Sequence, residues 1–253
     1  MKIAISGKGG VGKTTLAAIL SYLFKENGNK VLAIDADPDA NLAAALGFKN
    51  VKDVIPISEM KDLVAERTGS EPGTYGTFFS ISPKVDDLPD TLAKEINGIK
   101  FMTLGGVKKG GGGCICPESV LLKTLVMNLV LNRDEVVIMD MEAGLEHLGR
   151  ATSTGVDCLI VVCEPGQRSL ETARIVKRLC ADLRIKKMAV VGNKVRNQSD
   201  REFIEANVDG MRVLGHIPYA DSVVEADREG VSVFHQSPEA AKAGREIFAN
   251  LVG

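Results

Sequence analysis

The chain has 253 residues, 45% of them apolar, and a net charge of −2, enough to bury a full core and too balanced to seek nucleic acid or an anionic membrane surface. No apolar run approaches the ~18 residues that cross a bilayer, and because Met1-Lys2-Ile3 enters a strand at once, no signal peptide is expected. Five cysteines are odd in number and too sparse for a disulfide scaffold, so the expectation is a cytoplasmic protein with neither nucleic acid nor membrane as partner.

In chain order, strand-like runs fall at 2–6, 31–35, 100–104, 136–140, 158–163, 188–193 and 212–216. Helical patterns separate most of them, at 14–27, 118–131, 170–183 and 238–251. The run Cys158-Leu-Ile-Val-Val-Cys163 is apolar throughout, which suits a strand covered on both faces. Alternating β and α units predict an α/β fold, a mostly parallel, doubly wound sheet flanked by helices, with ligand loops at the strand C-terminal ends. Residues 1–253 read as one domain, and the irregular stretch 56–98, with Pro72-Gly73 and charged Lys84–Asp90, as an insertion beside the ligand.

The first strand runs into Gly7-Lys8-Gly9-Gly10-Val11-Gly12-Lys13-Thr14-Thr15, which fits the phosphate-loop pattern G-x-x-x-x-G-K-[ST] between a strand and a helix. Glycines let successive backbone N–H groups from Gly9 through Thr15 curl round an anion, and the new helix adds its positive end. Lys13 is expected to reach the β- and γ-phosphates, and the Thr14 hydroxyl to ligate Mg²⁺. The acid cluster Asp35-Ala36-Asp37-Pro38-Asp39 ends the second strand, where carboxylates can hold metal-bound water or polarise an attacking one. Asp35 is expected to support the Mg²⁺ shell, with capping of a helix near Ala40 as the other reading of Asp39. Val136-Val137-Ile138-Met139 leads into Asp140, an acid placed to bond the Mg²⁺ water shell or the Thr14 hydroxyl, and Gly144 follows at D-x-x-x-G spacing.

Between these lies a glycine run, Gly110–Gly113, that presents Cys114-Ile115-Cys116 just before Pro117, a residue suited to the first helical position. The helix end, with Lys108 and Lys109, is expected to lower both thiol pKa values and favour metal-binding thiolates. Two sulfurs do not complete a tetrahedral soft-metal site, whereas a two-fold dimer brings two pairs together as Cys₄. Cys158, Cys163 and Cys180 read as buried small hydrophobes, and a redox C-x-C without metal is the rival reading. His147 reads as part of a solvated helix face, and His216 and His235 suggest no role.

The second lysine of the loop, Lys8, makes K-G-G-V-G-K-T-T resemble the deviant Walker A motif of the MinD and nitrogenase iron-protein group of ATPases. The resemblance implies a homodimer in which Lys8 crosses to the partner's phosphates, a cation that arrives only on assembly. It further implies that the Asp35–Asn41 stretch is switch I, with Asp37 linked to hydrolysis and Asp39 as helper. Asp140 then ends the Walker B strand, and Gly144 is the switch II glycine that senses γ-phosphate. Asn193-Lys194 resembles the base-recognition strand end, where an amide suits adenine, although a turn asparagine also fits. Pro218-Tyr219 resembles the loop beneath the base, and Arg196 breaks any N-K-x-D guanine signature, so ATP/ADP is expected.

Taken with the C-x-C, the chain resembles the CooC-type maturation ATPases, which implies Ni²⁺ or Zn²⁺ at Cys114 and Cys116 shared across the dimer and apo carbon monoxide dehydrogenase as client. Ala143 stands where nitrogenase iron proteins carry their second cluster cysteine, which argues against a cluster bridged in that way. Two alternatives stay open: a MinD/ParA-like positioning ATPase and an iron–sulfur carrier.

Overall fold

In a computed structural model the described residues are 1–70, 78–105, 116–142, 155–185 and 187–253, Lys52 by its backbone alone. The strands are β1 (Lys2–Ser6), β2 (Val31–Ala36), β3 (Lys94–Ile96), β4 (Ile99–Thr103), β5 (Val136–Met141), β6 (Cys158–Cys163), β7 (Met188–Val195) and β8 (Arg212–Pro218). They join one sheet in the order β3-β4-β2-β5-β1-β6-β7-β8, parallel except for β3, which returns antiparallel on β4 at the edge. Seven of these strands coincide with the expected runs to within two residues. β3 escapes notice because Lys94-Glu95-Ile96 is short and carries exposed charges, as befits an edge.

Among the described residues the α-helices are α1 (Lys13–Glu26), α2 (Leu42–Ala45), α3 (Lys61–Thr68), α4 (Leu88–Leu92), α5 (Pro117–Asn132), α6 (Gln167–Leu183), α7 (Gln198–Asn207), α8 (Asp221–Glu229), α9 (Val233–Gln236) and α10 (Pro238–Val252). They build two cores, one on each face of the sheet. Ile3, Ile5, Ala33, Ile138 and Ile160 point towards α1 and α10, while Ala4, Leu32, Ile34, Val137 and Leu159 point towards α5 and α6. Period-two alternation with both faces apolar is why the strands read as unbroken hydrophobic runs. α1 is buried from Leu16 to Phe24 because it is covered by α10 as well as by the sheet. The stretch 56–98 carries α3, α4 and β3; its Ile57, Val64, Val85 and Leu88 pack into the α5 core.

The centre of the sheet fixes the site. β1 lies between β5 and β6, and the chain leaves it towards β2 on one side, then from β6 proceeds to β7 and β8 on the other. Such a switch in direction opens a crevice at the strand C-termini, and the loop after β1 lies there.

Candidate functional site

β1 ends at Ser6, and the loop turns through Gly10 and Gly12, both with positive φ (78° and 96°), before α1 begins at Lys13. Gly12 is obligatory: its backbone is left-handed, and a Cβ there would collide with the Asn193 amide. Gly9 and Gly10 are exposed, Val11 is buried in the α1 core, and Thr15 is half-buried in the first turn of α1. Lys13 is buried, and its Nζ lies 3.6 Å from an Asp37 carboxylate oxygen. Lys8 is half-buried, and its carbonyl accepts from the Val11 N–H at 3.3 Å.

Asp140 stands on β5 in register with Ile5 of β1 and with Asp35 of β2, so both carboxyls lie side by side beneath the loop. Thr14 Oγ1 donates to Asp140 Oδ2 at 2.6 Å, while Asp140 Oδ1 is buried with no hydrogen-bond partner among the described residues. Burial, and then the neighbouring Asp35 charge, push the Asp140 pKa up to about 7, against the pull of the Thr14 hydroxyl. An unsatisfied, buried carboxylate oxygen beside a threonine hydroxyl is the donor set that suits a hard cation with its waters, so the residues fit Mg²⁺.

Asp35 is tied into the acid loop by backbone donors. Its Oδ1 accepts from the Asp37 N–H (3.2 Å) and its Oδ2 from the Leu42 N–H (2.9 Å), pinning the acid loop and the start of α2. Burial raises its pKa to about 6 despite those two backbone donors. Asp37 Oδ1 in turn accepts from the Asp39 N–H at 3.1 Å. Asp39 is exposed and caps no helix; α2 starts at Leu42, without a side-chain cap.

At the other side of the loop, Asn193 Nδ2 donates to the Val11 carbonyl (2.7 Å) and Asn193 Oδ1 accepts from the Lys194 N–H (2.8 Å). Lys194 Nζ donates to the Gly10 carbonyl at 2.6 Å and lies 3.3 Å from Glu164. Pro218 ends β8, and Tyr219 follows with its ring 43% exposed and the Arg196 guanidinium 4.6 Å above it. The Tyr219 N–H donates to the Val195 carbonyl, which ties the two strand ends together.

Cys116 precedes α5, whose first residue is Pro117 as expected. The expected lowering of its thiol pKa is not found: burial, reinforced by Glu118, holds the Cys116 thiol above its ordinary value and outweighs the helix-end N–H groups. Cys158, Cys163 and Cys180 are buried, with thiols pushed up to about 11, 11 and 12 by burial, as inert core residues should be. Cys114, Lys108, Lys109, Ala143, Gly144 and His147 lie outside the described residues. Among the described residues of one chain, no group of three metal-binding side chains is found.

Residues 2–233 match the family described as the CobQ/CobB/MinD/ParA nucleotide binding domain. The chain belongs to that family. Within it, the chain is 46% identical to an uncharacterised ATP-binding protein of Methanocaldococcus jannaschii, over 100% of this chain and 98% of the relative. It is 42% identical to the carbon monoxide dehydrogenase accessory protein CooC of Rhodospirillum rubrum, over 100% and 96%. Among solved structures, the MinD cell division protein of Aquifex aeolicus superposes with TM-score 0.69 at 23% identity, covering 100% and 97% of the two chains. A ParA family ATPase from Chlorobium tepidum gives 0.70 at 19%, covering 99% and 97%; both likenesses are of fold. As a CobQ/CobB/MinD/ParA nucleotide-binding protein with ATP-binding relatives, the protein is an ATPase that works with ATP/ADP and Mg²⁺.

For this family member, sequence reasoning missed Glu164 and the use of Arg196 as a ring partner. Glu164 was signalled by its place, the first residue beyond the all-apolar β6, which pairs with β1. Arg196 drew notice only as a broken guanine signature. Among the described residues, no helix is long and apolar enough to cross a membrane.

Proposed function

We propose that this protein is an ATP-hydrolysing metal chaperone that delivers nickel for maturation of carbon monoxide dehydrogenase, binding the metal through Cys114 and Cys116 shared across a dimer. The observation that carries the reading is the likeness along the whole chain to the CooC relative, in a sequence that sets two thiols at the start of α5. The chain 1–253 is read as a single ATPase domain.

In this reading the phosphates lie against the N–H groups of Gly9–Thr15, with Lys13 on the β- and γ-phosphates. Thr14 and Asp140 would hold Mg²⁺, which would neutralise charge on the phosphate oxygens. Lys13 has Asp37 as its ionic partner. A γ-phosphate competes for that ammonium, and Asp37 is released to orient the attacking water, with Asp39 beside it. Gly144 senses the γ-phosphate, Tyr219 and Pro218 line the base, and Lys8 reaches the phosphates of the second chain. Closure brings four thiolates together around Ni²⁺ or Zn²⁺, and hydrolysis loosens the pair so that the ion passes to the client. Coupling requires that the metal bind one nucleotide state better than the other. The raised Cys116 thiol means that metal entry must displace a proton, so uptake strengthens as pH rises.

The test is metal titration of the purified protein, apo, with ADP and with ATP, with molecular mass measured alongside. We expect about one Ni²⁺ or Zn²⁺ per two chains. Cys116→Ser should lose that metal and keep its ATP affinity. Metal content unchanged in the variant overturns the reading. An iron–sulfur absorption band after anaerobic reconstitution, or ATP-dependent sedimentation with vesicles or DNA, would replace it with one of the two alternatives.

A further inference from the structure

Asn193 and Lys194 are consecutive on β7, yet both side chains reach the phosphate loop, one at Val11 and the other at Gly10. In an unbroken strand, neighbours point to opposite faces of the sheet. The register of β7 against β8 shifts between Gly192 and Val195, and Lys194 within that shift has φ 57°, a left-handed conformation uncommon for a residue with a Cβ. The consequence shows downstream. Val191 lies in the α1 core, whereas Val195, four residues on and expected on the same face, lies in the α5 core. One residue has been inserted into the strand end, and its effect is to aim a second side chain at the loop. A strained backbone persists only where the surroundings hold it, and here they include the Lys194–Glu164 pair and the Tyr219 N–H on the Val195 carbonyl.

We propose that Asn193 and Lys194 are positioning residues for ATP binding, holding the outward carbonyls of Val11 and Gly10 so that the loop keeps the shape that grips phosphate. A loop whose N–H groups face an anion must turn carbonyls away from it, and those carbonyls need donors of their own. Asn193 supplies an amide N–H, and Lys194 supplies an ammonium steadied by Glu164. This assigns the pair to the phosphates, where the family resemblance pointed to the base. It rests on ATP hydrolysis alone and is independent of the metal reading.

The experiment compares ATP, ADP and GTP binding, with ATPase kinetics, in Lys194→Gly, Lys194→Met and Lys194→Arg. Lys194→Gly suits the left-handed backbone and removes the whole side chain with its ammonium, relieving strain as it does so, so the nucleotide-free variant should melt close to the wild type. We expect its ATP and ADP affinities to fall together by about tenfold, with KM rising more than kcat falls. GTP affinity should fall by the same factor, and Lys194→Arg should recover much of the loss. Lys194→Met provides the same reading should the glycine variant fail to fold. An altered ATP-to-GTP ratio would mean that the residue reads the base, and unchanged affinity would mean that the carbonyl contact is idle; either result overturns the proposal.

Discussion

Asp140 shows how one carboxyl can tie stability to pH in a direction opposite to that of ordinary acidic residues. Its pKa in the folded chain is about 7 and that of Asp35 about 6, both raised from 3.8, chiefly by burial. The folded protein therefore keeps protons that the unfolded chain releases near pH 4. Stability from this pair is fully present below that pH and is lost as pH rises towards about 7. Carboxylates held low by arginine, Asp87 by Arg67 and Asp90 by Arg133, titrate beneath this window and do not mask it. Between pH 5 and pH 8 we expect the melting temperature of the nucleotide-free protein to drop by about 3 °C or more. Asp140→Asn, which has no charge to bury, should flatten that slope. A wild-type melting temperature that rises over the same interval would show that the two carboxyls are ionised in the folded state.

At the scale of elements, α10 approaches α1 closely on one face of the sheet. Gly244 of α10 is buried, and a Cβ built there would overlap Ile19 Cγ2 of α1. A mid-helix glycine costs about 0.5–1 kcal/mol against alanine, and the close approach of the two helices explains its place here. Gly244→Val should destabilise the protein by about 1–3 kcal/mol through overpacking, read as a lower urea midpoint at unchanged slope. Leu20→Ala, in the fully buried part of α1, should cost about 2–5 kcal/mol by leaving a cavity. Because α1 carries Lys13 and Thr14 at its first turn, a shift of this helix moves the ligand groups themselves.

For the whole molecule, the role proposed for the half-buried Lys8 belongs to a pair of chains and not to one. If it acts on a second chain, ATP hydrolysis per chain should climb with protein concentration. Lys8→Ala should then abolish that climb and cut kcat by about 100-fold or more, with ATP affinity nearly intact. Sedimentation and steady-state rates over the same concentration range check this. A rate per chain that is independent of concentration in the wild type would place the ammonium's role within one subunit.

Much of the fold and the core of the site could be read from residues alone, because both rest on local patterns. The apolar runs of β1, β5 and β6 need only their own residues to declare a strand buried on both faces, and the loop from Gly7 to Thr15 needs only its glycines, Lys13 and Thr14. Asp140 was legible because a strand and its last acid are contiguous. What stayed hidden depends on partners distant in sequence. The Asp35 bonds to Leu42, the Asn193 bond to Val11 and the burial that raises the Cys116 thiol have no signature along the chain. The same holds for the inserted residue in β7, since whether consecutive side chains share a face is decided by the neighbouring strand. Propensity and periodicity are properties of a segment and fixed which elements form; hydrogen-bond partners and local dielectric are properties of the assembled sheet, and these decided what the carboxyls, amides and thiols at its edge do.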